Sequence, residues 1–187
     1  MGLTSFANSL KIENCITRPG VIASLIDPEY GEISKPYTTH SIPGTIPAAY
    51  YDIGARGLSY SDSDYWNDGD GGYNDGWVFR NDGVDVEGSD DDPNIPYTVG
   101  WTEAGEWLGY TIEDVSPGTY EVSFSLSAPD AGGIFFAQLS GQNLGVIDVP
   151  ATGGWYNWED LPAQTITVSE GEKFLKIQIV QAGFNIQ

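Results

Sequence analysis

Apolar and polar residues alternate with a period of two along much of this chain, and that period belongs to half-buried strands. Tyr120, Val122, Phe124 and Leu126 are separated by Glu121, Ser123 and Ser125, and Leu175, Ile177 and Ile179 by Lys176 and Gln178. Each apolar set therefore falls on one face. Shorter runs predict further strands at 84–86, 97–101, 107–112, 134–139, 144–149 and 164–168, punctuated by Gly, Pro, Asp and Asn. No stretch sustains the 3.6-residue apolar period of a helix, and 24 glycines with 11 prolines disfavour long helices. Eight short strands at close spacing predict an all-β fold, a β-sandwich of two antiparallel sheets of jelly-roll type.

The pattern divides the chain unevenly. Residues 1–41 carry Pro19, Pro28 and Pro36 without a sustained period, so they are expected to form an N-terminal arm or linker. Residues 42–187 are expected to form the β-sandwich, opening on Ile42-Pro43-Gly44. Two acidic loops interrupt it, Ser61 to Gly76 and Ser89 to Asn94. The first also carries Tyr65, Trp66 and Tyr73, and a long loop bearing aromatics is expected to have a function.

Composition narrows the class of partner. A chain of 187 residues can bury a core without metal or disulfide staples. Seven Lys+Arg against 27 Asp+Glu leave a formal charge of 7 − 27 = −20, which repels phosphate backbones and anionic membrane surfaces alike. Neutral, soluble partners remain. Cys15 is the single cysteine, so no disulfide can form within the chain. No apolar run approaches the roughly 20 residues of a membrane span. The stretch Met1 to Lys11 lacks the pattern of a secretory signal, so either the protein is cytosolic or its export signal lies elsewhere.

Loop aromatics are the main chemical signal. Trp155 and Trp158 lie in Gly153-Gly154-Trp155-Tyr156-Asn157-Trp158, between two predicted strands. A pyranose has an apolar face of C–H bonds and an edge of hydroxyls. A flat ring buries the face while amides and carboxylates satisfy the edge. The plainer reading is that these rings cap the sandwich core; flanking glycines leave little nearby to cover Trp155 in that way.

Catalytic readings fare worse. Glu103 and Glu106 are too close in sequence to straddle a glycosidic bond, and Glu106 beside Trp107 reads as a structural hydrogen-bonding group. His40, the single histidine, sits in the arm, which leaves a Ser-His-Asp triad or a zinc site without support. Asp62, Asp64, Asp68, Asp70 and Asp75 offer the hard oxygens that calcium prefers, but no Glu closes an EF-hand spacing. A solvated acidic loop is the plainer reading there too.

Several segments resemble family 6 carbohydrate-binding modules, in order along the chain. They are Ile42-Pro43-Gly44-Thr45-Ile46, Phe79-Arg80-Asn81-Asp82-Gly83-Val84-Asp85-Val86-Glu87, Val99-Gly100-Trp101 through Gly105-Glu106-Trp107-Leu108-Gly109-Tyr110, Thr152 to Trp158, and Gly183-Phe184-Asn185. The resemblance implies a non-catalytic module that binds a β-linked polysaccharide (xylan, β-1,3-glucan, cellulose or an agar-type galactan) and targets an attached hydrolase. It further implies an extracellular setting within a larger protein. One sugar-stacking ring falls on Trp155 and the sugar-binding asparagine on Asn185. The opposing ring falls on Phe79, with Trp77 or Tyr73 in the preceding loop as the alternative. The family's calcium ligands are replaced by Pro47-Ala48-Ala49 and by Gln187, so no cofactor is expected to be required, leaving calcium on the acidic loops as the other expectation. The rival reading is a structural or adhesion domain of a larger extracellular protein.

Overall fold

The computed structural model describes residues 18–63, 76–80, 82–89 and 92–187, and of Trp77 and Ala163 the backbone alone. The expectations placed on Tyr73, on the aspartates between 64 and 75, and on Asp90 and Asp91 lie outside the described residues. In chain order the strands are β1 (Ser41–Ile42), β2 (Tyr60–Ser61), β3 (Val86–Gly88), β4 (Tyr97–Val99), β5 (Trp107–Ile112) and β6 (Asp114–Val115). They continue with β7 (Gly118–Ser127), β8 (Gly133–Leu139), β9 (Gln142–Val149), β10 (Glu159–Val168), β11 (Lys173–Gln181) and β12 (Asn185–Ile186).

Ten of these form two five-stranded antiparallel sheets, ordered β10-β7-β12-β4-β3 and β2-β5-β11-β8-β9. The period-two pattern explains the layering. Phe124 and Leu126 of β7, Phe135, Ala137 and Leu139 of β8, and Ile177 and Ile179 of β11 are all buried. Phe124 meets Phe135 edge-to-face at a centroid distance of 4.9 Å, and Phe184 packs on Phe135 at 5.6 Å. These rings join the two inner faces. Burying a side chain of this size stabilises by about 1.5–3 kcal/mol, so the alternation itself selects the sandwich.

The structure departs from the sequence reading in three places. A short helix, α1 (Pro19–Ile26), forms in the N-terminal segment; Pro19 suits its first position because that N–H has no partner within a helix. A second, α2 (Gly76–Phe79), ends the long acidic loop. β10 starts at Glu159 rather than Gln164 and runs through Pro162. Proline is tolerated there because β10 is an edge strand and the register shifts between Pro162 and Gln164.

The segment before β1 lies against the sandwich. Lys35 bridges Ile53, the Ser34 hydroxyl donates to Asp52 Oδ2 at 2.8 Å, and His40 is buried with Nε2 3.0 Å from the Tyr50 carbonyl. β1 then pairs in parallel with β6.

Candidate functional site

The register of the first sheet decides which residues can share a surface. Ile186 of β12 pairs with Leu126 and Val99, all buried between the sheets. Asn185 pairs with Ser127 and therefore points to the opposite, outer face. Thr98 and Glu87, paired across β4 and β3, lie on that outer face as well. The connection from β9 to β10 runs over it.

That connection is held by its polar atoms. The amides of Thr152 and Gly153 donate to the Ala128 carbonyl at 2.8 and 3.1 Å, and the Ala128 amide donates to Thr152 Oγ1 at 2.9 Å. Gly153 adopts φ +86°, a left-handed conformation that costs glycine little, and this turns the chain into Gly154. Asn157 Nδ2 closes the loop by donating to the Thr152 carbonyl at 3.2 Å. The carbonyl of Trp155 accepts two hydrogen bonds, from Ser127 Oγ at 2.6 Å and from Asn185 Nδ2 at 3.1 Å. The backbone beneath the indole is thus fixed while the residue itself is 45% exposed. Tyr156 beside it is 53% exposed, and its hydroxyl donates to Glu87 Oε1 at 2.5 Å.

Asn185 is buried, and its amide is turned to the Trp155 carbonyl. Gly100 makes room for it, since a Cβ at that position would lie 2.9 Å from Asn185 Oδ1. The structure therefore brings Trp155 and Asn185 together, with the asparagine acting as a support for the loop.

Phe79 is placed differently. By register Tyr97 points to the same side as Val99, toward the core. The Phe79 ring stacks on Tyr97 at 4.1 Å and 26°, with Tyr37 at 5.7 Å and Tyr50 at 5.9 Å. Next to it, buried Arg80 donates to the carbonyls of Tyr51 and Asp52 and pairs with Asp82 Oδ2 at 3.1 Å. Its guanidinium also lies over the rings of Tyr51 and Tyr37, at 3.7 and 5.0 Å. Burial, with the Asp82 carboxylate adding to it and the Arg80 charge opposing it, pushes the Tyr51 phenol well above its ordinary range. The backbone of Trp77 lies in α2.

Glu106 serves as an acceptor for backbone: Oε1 takes the Ser63 N–H at 2.9 Å and Oε2 the Glu103 N–H at 2.7 Å. Burial raises its pKa despite these contacts. The residues at the family's calcium position do not fit that ion. Ala48 and Ala49 are buried methyls, the Ala48 carbonyl accepts from Tyr110 at 2.8 Å, and the Gln187 Nε2 is buried without a hydrogen-bond partner. Among the described residues no group of three His, Cys, Asp or Glu could hold a metal ion.

A cavity of about 510 Å³ lies elsewhere. It opens between the sheets, and its lining mixes Ile42, Phe124 and Ile177 with Asp92, Glu121 and Asp160. What sets the loop over the outer face apart is that two strongly exposed aromatic residues, Trp155 and Tyr156, stand there beside polar atoms. The structure brings Trp155 and Asn185 to one loop, with Asn185 turned to backbone instead of outward as expected, and adds Tyr156 and Glu87, which nothing local in the sequence links across 69 positions.

Comparison with known proteins agrees with this architecture. Residues 80–187 match the family model described as carbohydrate binding module (family 35). A CBM6 from Clostridium stercorarium, solved in complex with cellobiose, shares the fold at a TM-score of 0.52 and 20% identity, covering 80% of this chain and 93% of that one. The C-terminal CBM6 of a marine laminarinase from Zobellia galactanivorans is 31% identical, with a TM-score of 0.49, over 56% of this chain and 83% of that one. The clotting factor G alpha subunit of Tachypleus tridentatus is 34% identical over 85 residues, which are 44% of this chain and 12% of that protein. The chain thus spans about an eighth of that curated relative.

Proposed function

The chain belongs to the carbohydrate-binding modules, matched over residues 80–187 by the family 35 model, and from that premise we propose that it binds a neutral β-linked polysaccharide at the loop over the outer face. The observation that carries this reading is Trp155: a residue 45% exposed on a backbone pinned by Ser127 and Asn185. Free rings in flexible loops lose entropy on binding; a ring on a fixed backbone has met most of that cost in folding. The indole stacks on the sugar's C–H face, and the polar atoms along the loop meet its hydroxyls.

Carbohydrate-binding modules are non-catalytic, and Glu106 is committed to backbone amides, so the molecule's task is attachment. The order of motifs from Ile42 to Asn185 supports a family 6 reading within these modules. The ligands we favour are β-1,3-glucan, cellulose, xylan or an agar-type galactan, met outside the cell by a larger protein that carries this module to its substrate. A net charge of −20 disfavours uronate-rich or sulfated chains. The fold requires no metal on this reading.

One exposed indole with a few hydrogen bonds suggests a Kd of about 10–100 µM. Calorimetry with soluble oligosaccharides, after a panel of polysaccharides in affinity gels, tests the proposal. Trp155→Ala should abolish measurable binding and leave thermal unfolding unchanged. Undiminished affinity in that variant overturns the site. A chelator should leave the melting temperature unchanged; a drop would show that calcium belongs to the fold.

A further inference from the structure

Tyr156 is more exposed than Trp155, yet its hydroxyl is not left to water. Buried tyrosines need a hydrogen-bond partner, because an unpaired hydroxyl in a dry interior is costly; a tyrosine 53% exposed has no such need. Here the hydroxyl is tied to Glu87 on β3, a strand at the far edge of the sheet from β10. At 2.5 Å the contact lies within the range of a hydroxyl donating to a carboxylate, a class roughly twice as strong as neutral hydrogen bonds. The loop is therefore anchored at two points on the outer face, Trp155 through its carbonyl over β7 and β12, and Tyr156 through its ring tip over β3. A carboxylate has about four acceptor sites, so this tether does not exhaust Glu87.

We infer that Tyr156 is a second sugar contact, held ready by Glu87, so that the site takes at least two linked sugar units rather than a single terminal one. This rests on the reading of Trp155 as the first contact. Trp155 and Tyr156 are consecutive, both exposed and carried on one anchored loop, so the loop offers a second ring where a single one would serve one pyranose. Glu87 is a positioning residue: it fixes the phenol's orientation before the ligand arrives, which lowers the ordering cost of binding.

The experiment is a chain-length series. The monosaccharide, disaccharide and trisaccharide of whichever series the wild-type protein binds (cello-, laminari- or xylo-) are titrated by following the indole N–H resonances. In the wild type, affinity should rise by about fivefold or more from one sugar to two, in keeping with one further aromatic contact. In Tyr156→Ala that rise should vanish while monosaccharide binding at Trp155 remains detectable. Glu87→Ala should shrink the rise in the same direction, and the double variant should match Tyr156→Ala alone, since the carboxylate acts through the ring. A rise that survives in Tyr156→Ala, with Trp155→Ala silent throughout, overturns this inference and leaves the first contact standing. Wild-type behaviour of Trp155→Ala overturns the first contact itself. Tyr156→Phe and Glu87→Gln, with melting temperatures recorded for every variant, separate a lost tether from a damaged loop.

Discussion

Two aromatic regions of this molecule use the same residue types to opposite ends. In the loop from Thr152 to Trp158, hydrogen bonds serve the backbone and the rings of Trp155 and Tyr156 stand in the open. Around Arg80, the rings of Tyr37, Tyr50, Tyr51, Phe79 and Tyr97 pack on one another or on the guanidinium, and the cluster joins the core. Aromatic content does not distinguish the regions. What the polar atoms do distinguishes them: in one they hold the chain so that rings need not be covered, and in the other the rings cover a buried cation.

The largest effect should come from removing that cation. Arg80 is buried, paired with Asp82 and bonded to two carbonyls; its loss strips both carbonyls of this donor and leaves the Asp82 carboxylate with the Tyr51 hydroxyl but no counter-charge from Arg80. Breaking a buried pair by deleting one partner costs about 3–5 kcal/mol. Arg80→Met should therefore lower the urea midpoint steeply, whereas Trp155→Ala should leave it in place. Equal midpoints for the two variants would erase the contrast.

Phe79→Ala sharpens the comparison at a smaller scale. Its ring stacks on Tyr97 within a partly buried group, so truncation should cost about 2 kcal/mol, below the 3–5 kcal/mol of a fully buried phenylalanine. Oligosaccharide affinity should stay within about twofold of wild type, a change of less than half a kcal/mol. A loss of binding comparable to that of Trp155→Ala would instead make Phe79 the opposing face of the sugar site. Calorimetry on the folded variant decides between them.

Asn185→Ala should fall between the two regions in kind. The amide is buried and satisfies a carbonyl, so its removal costs about 1–2 kcal/mol of stability. It also frees the backbone under Trp155, so affinity should weaken without vanishing, because Ser127 still holds the same carbonyl. Thermal unfolding and a titration on the same sample check both halves. An affinity loss with full stability would mean that the asparagine meets the sugar directly.

Much of this was legible in the sequence, for reasons that differ by region. Strands such as β7 and β11 announce themselves because burial on one face imposes alternation over many residues. Trp155 was legible because Gly153 and Gly154 leave its ring uncovered. The start of β10 was not, since Pro162 reads as a breaker and only the edge position with its shifted register excuses it. The short helices were missed because four to eight residues carry too few turns to set a period. Glu87 and Tyr156, or Phe79 and Tyr37, meet only through the topology of the sheet, and no local pattern encodes such meetings.

The smallest effect concerns a carboxylate in neither region. Glu106 is half-buried, and burial raises its pKa above the ordinary 4.5 although the amides of Glu103 and Ser63 pull the other way. Between the unfolded and folded pKa values the native state binds more protons than the unfolded chain, so stability falls as pH rises through that window and is flat above it. Acidification should then favour the wild type relative to Glu106→Gln, which has no proton to take up. Many carboxylates titrate in the same range, but their common contribution cancels in the difference between the two proteins. Urea midpoints at about pH 5 and pH 7 supply that difference. If wild type gains on the variant as pH falls, dehydration outweighs the two amide contacts at Glu106; if it loses, the amides dominate, and this turn is held as the Trp155 backbone is, by donors well matched to a charged or polar acceptor.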